Sequence, residues 1–379
     1  MTQDLNSLAQ TLYDTTQRLL KHRPDLAPWR HTIGFQPRLS DADLVTLALT
    51  QAMLGHTNET RWLRYARTHL TERFPYLPQQ SGYNKHLRKA AGLIRTLIRY
   101  LATDTSVWTD NAWVIDSTPV ECARSRETVK RSDLAGWTQY GYCASHSRFF
   151  WGLRLHLVCT LSGLPVAFAL TGAKTDERTT LIGMFENDPG LLAQRPGQVL
   201  IADKNYYGRD FEQSLAQAGL CFLRPARKGE SSRAGAEFFR PLRQVIESIN
   251  QTFKGQLDLE QHGGRPPGGV IVRVLQRLLA LTAAVWHNDH RPAGPTFPDR
   301  LRSLTPWNYS SRCTDLRGQE HGRREGRPVR YGTGALTVIA VMRPHQEHLP
   351  FLTLSGVGAD VDLFVGQGAV EMLHLAVGL

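Results

Sequence analysis

The stretch VLIADKNYYG, residues 199–208, runs from apolar residues into Asp203 and Lys204 and then turns at two tyrosines and Gly208. A short buried strand that ends on a carboxylate has two readings. The Asp can cap the helix that follows, or it can be a ligand, which requires partner carboxylates elsewhere in the chain. The run AWVID has the same form and ends on Asp116. Open α/β sheets place their sites at the carboxyl ends of strands. Both aspartates are therefore expected at one edge of a sheet.

The segments around these runs predict that sheet. FFWGLRLHLVCTLSGLPVAFALTG, residues 149–172, reads as a hairpin turning at Ser162-Gly163. Trp151, Leu153, Leu155 and Leu157 point one way; Arg154, His156 and Val158 point the other. A helix over Thr179–Leu192 precedes the Asp203 strand, RDFEQSLAQAG is a short helix after it, and LCFLRPAR is a further strand. The order predicts a mixed α/β sheet with helices packed on it. Residues 1–105 read as all helical. Ser40 and Asp43 form a capping-box pattern before LVTLALTQAML, and further helices are expected over Thr60–Leu70 and Lys85–Leu101.

The third carboxylate comes from RPLRQVIESINQTFKGQL, residues 240–257. At helical spacing Leu242, Val245, Ile246, Ile249 and Phe253 share one face. Arg243, Glu247, Asn250 and Lys254 share another, within about 60° of arc. Two strand-end aspartates and one helix glutamate, Asp116, Asp203 and Glu247, can converge on a pair of Mg²⁺ or Mn²⁺ ions, which take hard oxygen ligands. Ions about 3.5–4 Å apart would activate a water or a 3′-hydroxyl and stabilise the leaving oxygen of a phosphodiester. Arg243 and Lys254 are placed to hold substrate phosphate, with Asn250 and Lys204 beside the acids. Arg124, Lys130 and Arg131 follow Asp116 and read equally as DNA contacts or as an exposed basic loop.

Composition sets the frame. Lys and Arg number 45 against 34 acidic residues, a net charge of +11 that suits a polyanionic partner. No run resembles a membrane span, the N-terminus does not read as a secretion signal, and the five cysteines show no metal or disulfide spacing. A cytoplasmic, nucleoid-associated protein is expected. Asp176-Glu177 reads as a turn and helix cap ahead of a metal role, His156 as structural ahead of catalytic, GGRPPGG (263–269) as a turn between helices, and Trp137 and Tyr140 as core ahead of base-stacking residues.

At these residues the sequence resembles the DDE transposases of bacterial insertion sequences. VIDSTPV (114–120) is similar to the first-Asp segment, LIADKNYYG (200–208) to the second, and IESINQTFKGQ (246–256) to the Glu helix. Arg243, Glu247 and Lys254 match an R-x3-E-x6-K signature, whose preceding Tyr is here Arg240, and Asn205 stands where Gly is usual. FPYLPQQSGYNK (74–85), the segment 125–152, KGQLDLEQHGGR (254–265) and RLLALTAAVWHNDH (277–290) resemble the insertion-sequence family numbered nine-eighty-two. The resemblance implies an RNase H-like catalytic core over 106–290 and a helical DNA-end-binding domain over 1–105. It also implies Mg²⁺-dependent cleavage at terminal inverted repeats, strand transfer into target DNA, and a homodimer or higher assembly on DNA. A DDE-type nuclease without strand transfer and an inactive DNA-binding relic are the alternatives.

From residue 291 the chain becomes rich in Arg, Gly and Pro and loses periodicity. Relatives of the family end near here with a segment like GAPVKRSLIAYDH. One choice of codons for His290–Thr305, shifted by a base, reads IGPPVRRSLIAYDH and then a stop. Residues 291–379 are therefore expected to be a frameshifted, poorly structured tail.

Overall fold

The computed structural model describes residues 3–29, 37–123, 126–143, 147–231, 233 and 239–290, with the backbone alone at 3 and 240–244. The expected tail, 291–379, lies outside the described residues.

Five helices come first: α1 (Gln3–His22), α2 (Asp41–Met53), α3 (Glu59–His69), α4 (Gln80–Lys89) and α5 (Ala91–Thr103). The Ser40 capping box forms as read: Ser40 Oγ accepts from the Asp43 amide at 3.0 Å, and Asp43 Oδ2 accepts from the Ser40 amide at 3.1 Å. The single helix expected over Lys85–Leu101 is instead two. The chain leaves helical geometry at Ala90 (ψ 5°) and restarts, which lets α4 and α5 each bury their own apolar face.

The sheet follows: β1 (Ala112–Ala123), β2 (Gln139–Cys143), β3 (Arg148–Thr160), β4 (Pro165–Gly172), β5 (Val199–Ile201) and β6 (Cys221–Leu223). The strand order is β2-β3-β1-β5-β6, with β4 also paired to β3. Pairing of β1 with β3, and of β3 with β2 and β4, is antiparallel; β1, β5 and β6 run parallel. The short α6 (Arg126–Lys130) follows β1; α7 (Glu177–Glu186) and α8 (Pro189–Ala193) replace the one helix expected over Thr179–Leu192, and α9 (Arg209–Gln217) joins β5 to β6. His156, read as structural, faces the interior. His156 and Val158 are fully buried and β4 is buried throughout, because helices cover both faces.

The chain then enters α10 (Phe239–Gln251), a π-helical turn over Thr252–Gln256, and α11 (Pro267–Asp289). By length and composition α11 is apolar enough to cross a membrane, which the sequence reading missed, but it is almost wholly buried inside the protein. It packs against α1, α2, α4, α5 and β4, so helices and sheet share one continuous apolar core. Its polar residues are tied down. Arg273 donates to Gln51 (3.2 Å), Gln276 (2.8 Å), Asn84 (3.0 Å) and Glu59, while Gln276 donates to the Ala48 carbonyl at 2.6 Å. Such satisfaction is what a buried guanidinium needs to be tolerated.

Candidate active site

The sequence placed Asp116 at a strand end, and the structure corrects this. β1 continues to Ala123 because its antiparallel partner β3 stays hydrogen-bonded to it as far as the Ala123–Trp151 pair. What ends near Asp116 is the parallel pairing: Ala112, Trp113 and Val114 match Val199, Leu200 and Ile201, and β5 then stops. Asp116 and Asp203 each lie two residues past the Val114–Ile201 pair. Equal offset in a two-residue repeat places them side by side, on the same side of the sheet, where the strands part.

The two carboxylates are held differently. Solvent reaches part of Asp116, but protein atoms enclose its carboxylate, and that burial pushes its pKa up to about 6. The negative charges of Glu177 and Asp203 act in the same direction, opposed by donors from the Ser117 amide (2.8 Å) and the Asn250 side chain (2.6 Å). Asp203 is exposed and is braced by Asn205, which donates its amide (3.3 Å) and its Nδ2 (3.2 Å) to the two carboxylate oxygens. The residue that departs from the family pattern thus orients the second acid.

α10 packs against β1, with Ile249 and Phe253 buried as its periodicity predicted. Asn250, expected on the phosphate-holding face, donates instead to Asp116 Oδ2. Glu247 lies one turn earlier, exposed, on the face that Asn250 shares. Lys254 lies one turn later, in the π-helical segment, and Lys204 is exposed beside Asp203. The Arg243 side chain and all of Arg124 lie outside what is described. Lys130 and Arg131 are not gathered with the acids. They follow the far end of β1, seven residues beyond Asp116 or about 23 Å along a strand, where Arg131 lines a cleft of about 1190 Å³ against the N-terminal helices.

Three groups outside the expected set of acids complete the cluster. Asp176 caps α7 as expected, accepting from the amides of Arg178 and Thr179. Glu177 turns to the site, where its Oε1 accepts from Ser117 Oγ at 2.5 Å and from Arg154 Nη1 at 2.9 Å. Arg154 also donates to Ser117 Oγ at 2.9 Å and to the Tyr142 carbonyl at 3.3 Å. Tyr206 is 1% exposed, and its hydroxyl has no hydrogen-bond partner among the described residues. Burial first, then the charges of Glu177 and Asp116, raise its pKa, with Arg154 opposing. Only the Tyr-Tyr pair three residues after Asp203 signalled it in the sequence.

Among the described residues no group of three or more His, Cys, Asp or Glu is close enough to hold a metal ion as it stands. The chemistry of the donor set nevertheless fits a hard divalent cation. Burial first, and then the charges of Glu177 and Asp203, raise Asp116, a buried phenol oxygen lacks a partner among the described residues, and His156, bonded to Thr171 at 2.9 Å, is turned into the core. A ligand shell including Glu247 needs α10 to draw its acid toward the two aspartates.

Comparison with known proteins falls on this region. Residues 108–282 match the family model of the transposase DDE domain. The match runs from just before β1 through most of α11, takes in Asp116, Asp203 and Glu247, and supports a DDE transposase, a family that generally uses divalent metal ions. No curated protein and no solved structure matches the chain.

Proposed function

We propose that the protein is a DNA transposase of the insertion-sequence family nine-eighty-two type, cutting the terminal inverted repeats of its element and joining the freed strands to target DNA. The observation that carries the reading is the register at the β1–β5 fork, which sets Asp116 beside Asp203 within the segment that matches the DDE family. An antiparallel β3–β1 pair continued by parallel β5 and β6, with a glutamate-bearing helix against β1, supports an RNase H-like core.

In this reading Asp116, Asp203 and Glu247 hold two Mg²⁺ or Mn²⁺ ions, which supply activation of the attacking oxygen and charge stabilisation of the leaving one. Asn250 and the Ser117 amide keep the Asp116 carboxylate aimed out of β1, and Asn205 does the same for Asp203. Arg243, Lys254 and Lys204 bind phosphate of the DNA, and the helical region 1–105 recognises the element's ends. The protein acts in the cytoplasm on the nucleoid, as a dimer or higher assembly that brings two ends together.

The test is a supercoiled plasmid carrying the element's ends, incubated with Mg²⁺ and either the wild type or Asp203→Ala. Cleavage at the ends by the wild type alone, with both proteins binding the ends, is the expected result. Joined products distinguish transfer from simple hydrolysis. End binding with no cleavage by either protein overturns the reading in favour of an inactive relic.

A further inference from the structure

Glu177 opens α7 but does not cap it. Asp176 already does so, accepting from the amides of Arg178 and Thr179. Arg178 in turn donates Nη2 to Asp176 Oδ2 at 2.8 Å and Nη1 to the Tyr207 carbonyl at 2.9 Å, which ties the head of α7 to the turn after Asp203. An acid in a first turn gains a little from the helix dipole, and that alone would leave its side chain in solvent. Glu177 instead reaches the strand of Asp116.

Ser117 holds both acids. Its amide donates to Asp116 Oδ1 at 2.8 Å and its hydroxyl to Glu177 Oε1 at 2.5 Å. Arg154 donates to the same Oε1 at 2.9 Å and is itself fixed by the Tyr142 carbonyl at 3.3 Å. Any side chain at Gly152 would meet the Val120 carbonyl oxygen at 2.1 Å, and its absence lets β3 close on β1 and curl, carrying Arg154 into place. Glu177 is thus gripped through one oxygen, while no described residue donates to the other, Oε2, and its side chain is 27% exposed. Neighbours that hold one oxygen of a carboxylate and leave the second for an ion are how metal ligands are oriented. Tyr206 is a separate observation. It is 1% exposed, its hydroxyl has no partner among the described residues, and it lies near enough to Glu177, Asp116 and Asp203 for all three charges to act on it. Its oxygen is left to accept from the water of a bound ion.

We propose that Glu177 is a further carboxylate ligand of the divalent-cation site, sharing with Asp116 an ion that binds before DNA, and that Arg154 is the positioning residue that aims its second oxygen. The proposal deepens the transposase reading and rests on it for the reaction. Among the described residues no three acids are close enough to share an ion as they stand. Mg²⁺ keeps several of its waters and is commonly held by one or two carboxylates, so two acids on packed elements suffice. Glu247, exposed on α10, is not needed for this ion.

The test is Mn²⁺ binding to the full-length protein without DNA, with free Mn²⁺ read by electron paramagnetic resonance. Glu177→Gln, which keeps the shape and an acceptor for Arg154, weakens binding about tenfold or more. Glu177→Asp, which keeps the charge but draws it back by one methylene, weakens it as well. Glu186→Gln removes a charge from the other end of α7 and leaves the affinity as it was. In Arg154→Ala the affinity falls, although loss of a positive charge would by itself raise it. Melting of each metal-free variant verifies that it is folded. Unchanged Mn²⁺ affinity in Glu177→Gln overturns the proposal, as does a wild type that binds no Mn²⁺ without DNA; a rise in Arg154→Ala overturns the positioning role. Mn²⁺ held through Glu177 by a protein that cuts no plasmid leaves the proposal standing and sinks the transposase reading. Plasmid cleavage with an Mn²⁺ affinity indifferent to Glu177 does the reverse.

Discussion

Two polar clusters sit in the same apolar core and are built on opposite terms. Around Arg273 the positive charge is matched by Glu59, and the amides of Gln51, Asn84 and Gln276 fill its remaining donors. Around Asp116 burial raises the pKa, the negative charges of Glu177 and Asp203 add to the rise, and the buried Tyr206 hydroxyl beside them is without a partner among the described residues. The Arg273 guanidinium in the first cluster is paired by its own neighbours. The second is left open toward positive charge, as a binding site must be before its ligand arrives. Burial of polar groups is thus common to both, and completeness is what separates scaffold from site.

The contrast is broken most severely by changing one member of each cluster. Asp116→Asn should lower DNA cleavage by about a thousandfold or more, the scale of losing a group that acts only in the transition state. The same change should leave stability at neutral pH unchanged or about 1–2 kcal/mol higher, since an enclosed carboxylate with a raised pKa costs free energy when ionised. Arg273→Ala should do the reverse in kind. It leaves Glu59 facing a buried vacancy and should cost about 3–5 kcal/mol in urea unfolding, with cleavage lost only as fast as the folded fraction. If Asp116→Asn unfolds the protein, the acids are structural and the comparison fails.

Acid should sharpen it. His156 and His262 are held neutral by burial, their pKa lowered to about 3 and about 4. The unfolded chain takes up protons first, near pH 6.5, so their contribution is complete above that value and is lost as pH falls toward 4. The slope is about 1.4 kcal/mol per pH unit for each histidine. Asp116, displaced upward, works in the opposite sense as pH falls through 6. Unfolding measured from pH 7 to 4 should therefore show a decline that is shallower in His156→Gln and steeper in Asp116→Asn. The smallest effect is expected from Tyr206→Phe. It keeps the ring and removes only the unpartnered hydroxyl, so melting should shift by no more than about 1 kcal/mol. A loss well above that would mean that the hydroxyl is bonded in the folded state.

Much of this was legible in the residues, because some signals are local. The Ser40 box and the apolar face of α10 depend on near neighbours and formed as their spacing predicted, while the strand expected to end on Asp203 stops two residues earlier, at Ile201. The extent of β1 was not legible: Pro119 reads as a stop, and only pairing with a strand more than thirty residues away carries the chain past it. Glu177 was hidden by its own neighbour, since an acid after a capping Asp looks like ordinary first-turn charge. Arg154 alternates unremarkably in its strand, and its meaning lies in what the curl at Gly152 brings to it. The placements of Lys130 and Arg131 show the converse: closeness to Asp116 in sequence became separation along an extended strand.

The position of α11 has a consequence for how the chain is made. Its partners α1, α2, α4 and α5 are synthesised first, and α11 is the last helix among the described residues. For the time that a ribosome needs to add the sheet and α10, the leading helices lack the α11 share of the cover for their apolar faces. Synthesis halted before residue 267 would release a fragment with exposed apolar surface in place of a stable helical domain. The order of elements thus ties the birth of a stable N-terminal layer to completion of the acid-bearing segments.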